Sequence, residues 1–162
     1  MSSLQIIRRR VCLESEFLNP NYKEHLFKKI KETSDNACTE MDGYLLNITR
    51  IIKIVENKIT SNSENVFVVE FEAETLLPTK GKEFEGIAFM IFHSGIFVNI
   101  KGKLKVLIPL NELEDYTYDS SKNIFILKDD NENILKKDMT VKISIVDMRY
   151  LNKQFSCYGK II

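Results

Sequence analysis

The stretch Glu83–Pro109, EFEGIAFMIFHSGIFVNIKGKLKVLIP, decides the fold. Three apolar, β-branched and aromatic runs, Glu83 to Phe92, Ile96 to Ile100 and Leu104 to Pro109, are joined by His93-Ser94-Gly95 and by a turn at Gly102. Connections this short between strand-length runs predict a three-stranded antiparallel meander. Downstream, Asn111-Glu112-Leu113 reads as a short helical turn, and a polar excursion from Asp115 to Lys137 contains one apolar run, Ile124 to Leu127. Two final strand patterns cover Thr140 to Tyr150 and Gln154 to Ile161. Three meander strands, a crossover and two closing strands are the plan of a five-stranded OB-type barrel.

Upstream of the turn Pro78-Thr79-Lys80-Gly81 the pattern is mixed. Gln5 to Leu13 is extended in character. Asn19 is a suitable N-cap and Pro20 suits a first helical turn, after which Tyr22, Leu26, Phe27 and Ile30 recur at helical spacing. The helix is expected to run out in Thr33-Ser34-Asp35-Asn36. A sheet from Ala37 to Ile48, Ile51 to Ile59 and Val66 to Leu77 would carry its apolar face. Residues 1–80 are thus an α+β domain, one helix on an antiparallel sheet, and residues 81–162 the barrel.

Lysine plus arginine equals aspartate plus glutamate, 23 against 23. No global basic field exists to draw the chain onto nucleic acid, so such a contact requires a local patch. The three cysteines are far apart and odd in number, which speaks for a reducing, intracellular compartment. No apolar run follows Arg8-Arg9-Arg10 and none is long enough to span a bilayer, so neither leader nor membrane partner is expected. That arginine run reads as a solvated strand edge, or else as a contact for nucleic acid or a weak import signal. His25 and His93 are isolated, with no ligand spacing to a carboxylate or cysteine. No phosphate-cradling glycine loop or nucleophile elbow is present, and the acidic pairs fall in loops. Neither catalysis, metal nor cofactor is expected.

The residues Glu83 to Ala88, Ser94-Gly95-Ile96-Phe97-Val98 and Leu107-Ile108-Pro109 resemble the RNA-binding barrel first described in ribosomal protein S-one. Val11 to Phe17, Asn19 to Tyr22, Asp42-Gly43-Tyr44, Phe71-Glu72-Ala73, Leu77-Pro78 and Gly81 precede them in the order found in one two-domain family. That family is the barrel-bearing stalk subunit of archaeal and eukaryotic RNA polymerases. The resemblance runs from about Val11 to Ile162. It implies a truncated RNP-like first domain docked on polymerase core subunits, a small helical partner subunit, and a barrel near nascent single-stranded RNA. The location implied is the nucleus, or a virion or host cytoplasm for a divergent viral member.

Candidate sites follow. Phe97 stands where such barrels offer a ring for base stacking, or else it packs in the barrel or against a partner. Lys101, Lys103 and Lys105 alternate, which on a regular strand would align three ammonium groups along a phosphate backbone, unless Gly102 breaks the register. Lys128 and Arg149 are weaker additions. Ser94 replaces a usual aromatic and Ile108 a usual histidine, so the implied grip on RNA is weak. The segment Lys58-Ile59-Thr60-Ser61-Asn62-Ser63-Glu64-Asn65, with Pro78 and Gly81, corresponds in position to the core-docking end of the family's first domain, or is a solvated hairpin tip. The rival readings are a free-standing RNA-binding or translation factor on the same barrel, and an enzyme such as a nuclease that carries the barrel as an accessory.

Overall fold

The helix begins at Tyr22, two residues later than the sequence suggests, and Asn19 caps the turn that leads into it. Its Oδ1 accepts the Asn21 N–H at 2.9 Å and its carbonyl accepts the Tyr22 N–H at 2.9 Å, occupying donors that a helix start otherwise leaves unpaired. The computed structural model describes residues 2–34 and 37–162. Helix α1 spans Tyr22–Ser34; Asp35 and Asn36, part of the expected stop, lie outside the described residues. Two units can be separated, Ser2–Leu76 and Leu77–Ile162. In the first, strands β1 (Ser3–Leu13), β2 (Cys38–Thr39), β3 (Gly43–Ile59) and β4 (Asn65–Leu76) form an antiparallel sheet in the order β1-β4-β3-β2. Leu26 and Ile30 of α1 pack on Ile7, Val11, Leu45, Ile48, Phe67, Val69 and Phe71, which makes this unit's core. The other face of the sheet is a lattice of charges. Arg8 reaches Glu70 at 2.6 Å, Lys53 reaches Glu70 at 3.8 Å, and Arg50 reaches Glu72 at 3.4 Å. On the helix side, Arg9, between Ile7 and Val11 in the alternation of β1, pairs with Asp42 at 3.1 Å.

The sheet corrects two expected strands. Ala37 to Ile48 is not one strand: a turn at 40–42, with the Asp42 N–H donating to Thr39 Oγ1 at 3.1 Å and Gly43 in the left-handed region, separates β2 from β3. The expected break between Ile48 and Ile51 is absent. Instead β3 is bulged at every third residue, with register shifts at Leu45/Asn47, Ile48/Arg50, Ile51/Lys53 and Ile54/Glu56. Leu46, Thr49, Ile52 and Val55 are the extra residues. The strand therefore has three sets of residues: Leu45, Ile48, Ile51 and Ile54 toward the helix, Asn47, Arg50 and Lys53 opposite the β4 glutamates, and the bulge residues between them, of which Thr49 donates to the Glu72 carbonyl at 3.1 Å and Ile52 and Val55 are 40% and 41% exposed.

The barrel follows the sequence closely. Strands β5 (Glu83–Phe92), β6 (Gly95–Ile100) and β7 (Leu104–Pro109) form the meander, and β11 (Thr140–Leu151) and β12 (Gln154–Ile161) close it in the order β11-β12-β7-β6-β5, with β11 pairing β5. The β12–β7 pair is parallel and the rest are antiparallel, the pairing of an OB fold. Alternate residues Ile96, Val98 and Ile100, with Leu104, Val106 and Ile108, fill the interior. The helical turn after β7 is Leu110–Glu112. The polar excursion is a correction: it forms a second antiparallel sheet of β8 (Tyr116–Asp119), β9 (Ile124–Leu127) and β10 (Asp130–Leu135), anchored by buried Phe125 and Leu135. Among the described residues no helix is long and apolar enough to cross a membrane.

Candidate nucleic-acid interface

Strand alternation decides what the barrel shows to solvent. With Ile96, Val98 and Ile100 inside, Phe97 and Asn99 point outward; with Leu104, Val106 and Ile108 inside, Lys105, Leu107 and Pro109 do. Phe97 pairs with Leu107 in the β6–β7 ladder and Leu107 with Tyr158 in the β7–β12 ladder. These three side chains share one face. Together with Lys105, Gln154 and Ser156 they line a shallow groove whose floor includes Phe155 and Cys157. Tyr158 is 51% exposed at its rim.

Phe97 is half-buried rather than free. Its ring centroid lies 5.9 Å from Phe89 and 5.6 Å from Phe92, both tilted, so neighbouring rings hold one edge while the groove side stays open. Lys105 Nζ is 5.9 Å from the centre of the Phe89 ring, a cation–π distance that keeps the ammonium over the aromatic cluster. Arg149 of β11 is exposed and pairs with Ser156 in the ladder, which places it on the same face one strand beyond the groove. Burial, and then Asp147, push the Cys157 thiol from about 9.0 up to about 12. It is a neutral wall of the groove and offers no thiolate.

The lysine stripe is not formed. Lys101 has φ 52° and Gly102 φ 73°, so Lys101 and Lys103 belong to the turn between β6 and β7, and only Lys105 is on the strand. Lys128 follows β9 in the second sheet, outside the barrel strands, with its N–H donating to the Asp115 carbonyl at 2.8 Å. Ile108 is inside the barrel, so position 108 cannot contact a ligand on the outer face whatever residue occupies it. Phe89, Leu107 and Tyr158 were not marked by the sequence. Pairing of β7 with β12, separated by the whole β8–β11 crossover, brings Tyr158 to Leu107, and no local pattern signals that.

At the other candidate site, Lys58 and Ile59 end β3, and Ile59 is 72% exposed. Thr60 to Glu64 form a tight turn: the Thr60 N–H donates to the Glu64 carbonyl at 2.9 Å, the Glu64 N–H to Thr60 Oγ1 at 3.2 Å, and Ser63 is left-handed at φ 62°. Ser61, Asn62 and Ser63 are exposed. Asn65 is not part of the tip. It is 7% exposed within β4 and its Nδ2 donates to Ser15 Oγ at 3.4 Å. Pro78 is buried, and the Gly81 N–H donates to the Ile145 carbonyl at 2.8 Å, which ties that turn to β11.

Fold and face together define a protein with a helix-on-sheet unit followed by an OB-type barrel that carries an aromatic and basic outer groove. No family model matches the chain. Over 117 residues it is 26% identical to DNA-directed RNA polymerase II subunit RPB7 of Saccharomyces cerevisiae, covering 70% of this chain and 68% of that protein. Among solved structures it is similar to the apo form of Mycoplasma genitalium RNase R, with a TM-score of 0.41 and 19% identity. It is also similar to that enzyme in complex with ribose-methylated single-stranded RNA, with a TM-score of 0.43 and 19% identity. Each likeness covers 51% of this chain and 13% of RNase R.

Proposed function

We propose that the chain is a non-catalytic stalk subunit of a multi-subunit DNA-directed RNA polymerase, with residues 1–80 docking on the core and the barrel, 81–162, guiding nascent RNA. The observation that carries this reading is the likeness to RPB7 over 70% of the chain. The order of the two units and the outer groove of the barrel agree with it. Docking falls to Lys58–Glu64, where Ile59 offers an exposed apolar side chain beside a hydrogen-bonded turn, and Asn65 holds the start of β4 behind it; Pro78 and Gly81 belong to the turn that leads into the barrel and are not part of that tip. A small helical subunit is the second protein partner, and polymerisation belongs to other subunits. The site of action is wherever that polymerase works, the nucleus or, for a viral polymerase, the virion and host cytoplasm.

Contact with RNA is a stacking event on Phe97 and Tyr158, backed by charge from Lys105 and Arg149. Base stacking on an aromatic side chain contributes about 1–3 kcal/mol and tolerates any sequence. The test is purification of the tagged chain from its native cells or virions, followed by identification of what comes with it. Large polymerase subunits are the expected companions. Recovery of the chain bound to RNA and free of polymerase would replace this reading with that of a free-standing RNA-binding factor.

A further inference from the structure

A second groove lies on the barrel's outer face, on the β5 side of Phe97. Ile87, Phe89, Asn99, Lys101 and Thr140 line it. Phe97 and Asn99 are alternate residues of one strand, so they share a face with roughly 7 Å between them. Phe89 is the extra residue of a bulge between Ala88 and Met90, and its ring stands beside Phe97 and beneath Lys105. The amide of Asn99 sets this groove apart. Its Oδ1 is shielded from solvent and has no hydrogen-bond partner, the one buried side-chain atom of that kind among the described residues. A buried acceptor without a donor is costly, and the cost is relieved when a bound molecule supplies the N–H.

We infer that Asn99 reads the edge of a nucleobase that bears an exocyclic amine. Such an amine would donate to Oδ1 while Nδ2 of the same amide donates to the neighbouring ring nitrogen, the two-point match that asparagine makes with adenine. The half-exposed Ile87 and the exposed Lys101 are the walls that yield to admit the base edge. Phe89 supplies an apolar face at the same level, and Lys105, between the two grooves, is placed for the intervening phosphate. The inference rests on the barrel face binding RNA and deepens it: the Phe97 groove stacks any base, whereas the Asn99 groove adds a preference.

The experiment uses the full chain and two fluorescent single-stranded RNA octamers, oligo(A) and the same octamer with purine in place of every adenine, which lacks only the 6-amino group. By anisotropy the wild type is expected to bind oligo(A) about tenfold more tightly, the discrimination of one good base-edge contact. Asn99→Leu should bind the two alike, and Asn99→Asp, which keeps the acceptor but replaces the donating Nδ2 by a charged oxygen, should bind both more weakly while still favouring the octamer that bears the amine. A wild type indifferent to the amine, or an Asn99→Leu variant that still prefers it, overturns the inference. If the wild type binds neither octamer, both the inference and the RNA reading of this face fall. If Phe97→Ala and Lys105→Ala bind as the wild type does while Asn99→Leu loses the preference, the Phe97 groove is wrongly assigned and Asn99 stands.

Discussion

Two glycines of the barrel motif owe their place to backbone contact. A Cβ on Gly95 would lie 2.4 Å from the Ile108 carbonyl oxygen, and one on Gly86 2.8 Å from that of Asn99. Both are points where neighbouring strands come too close for a side chain. Gly95→Ala is therefore expected to lower stability by more than about 2 kcal/mol, through backbone displacement, read as a drop in the urea midpoint of unfolding. The thiols make a second test. Cys12 is exposed, whereas Cys38 and Cys157 are buried, so a thiol reagent should modify Cys12 in the native protein and the other two only on unfolding. Cys157 keeps its proton up to about pH 12 in the fold against about 9.0 for an ordinary thiol. Its contribution to stability is whole below pH 9.0 and is lost as pH rises toward 12. Cys157→Ala should remove that part of the alkaline slope in the unfolding midpoint. Phe97 and Lys105 could be picked from the sequence as surface candidates because alternation within one strand is local information. Asn99 could not, because its distinguishing mark is an unpartnered oxygen, which only three-dimensional packing reveals.

The elements that the sequence made legible are those obeying a period of two. Strands β7 and β12 begin and end where their residues say, since inside and outside alternate between tight turns, and β5 does so apart from its bulge at Phe89. In the sequence, strand β3 reads as two because its apolar residues, Leu45, Ile48, Ile51 and Ile54, recur every third position. No regular strand or helix has that period, and four successive bulges produce it. Of the three short strands after β7, β9 coincides with the apolar run Ile124 to Leu127, whereas β8 (YTYD) and the mostly exposed β10 (DNENIL) contain no run of apolar residues to announce them. The three-residue period can be tested directly. Ile48, 6% exposed, should cost about 2–4 kcal/mol when truncated to alanine, and the bulge residue Ile52, 40% exposed, should change stability by less than about 0.5 kcal/mol when replaced by serine. Comparable losses from both, measured by denaturant unfolding, would restore the ordinary two-residue alternation and contradict the bulges.

At the scale of the whole molecule the chain is electrically neutral, with 23 basic and 23 acidic side chains. A net field does not gather RNA from a distance, and Lys105 and Arg149 are the basic side chains that the proposed reading puts on the Phe97 face. Two phosphate contacts on a single strand imply a slope of about −1.4 in log affinity against log salt. A titration series between low and moderate salt measures it, and a much steeper slope would mean that lysines outside this face take part. The units Ser2–Leu76 and Leu77–Ile162 manage their sheet edges differently. The barrel closes on itself and has none to manage. In the first unit, on the side of β3 away from β4, no strand among the described residues pairs with it beyond its short contact with β2. That rim carries the apolar Ile52 and Val55, the composition that in a flat strand invites a second chain to stack on and begin a fibril. Because the spacing of its peptide groups jumps at every third residue, a straight strand laid alongside could form only two or three bonds before losing step. The irregular rim is thus a safeguard against self-templating, kept by the same bulges that point the isoleucines of β3 toward the helix.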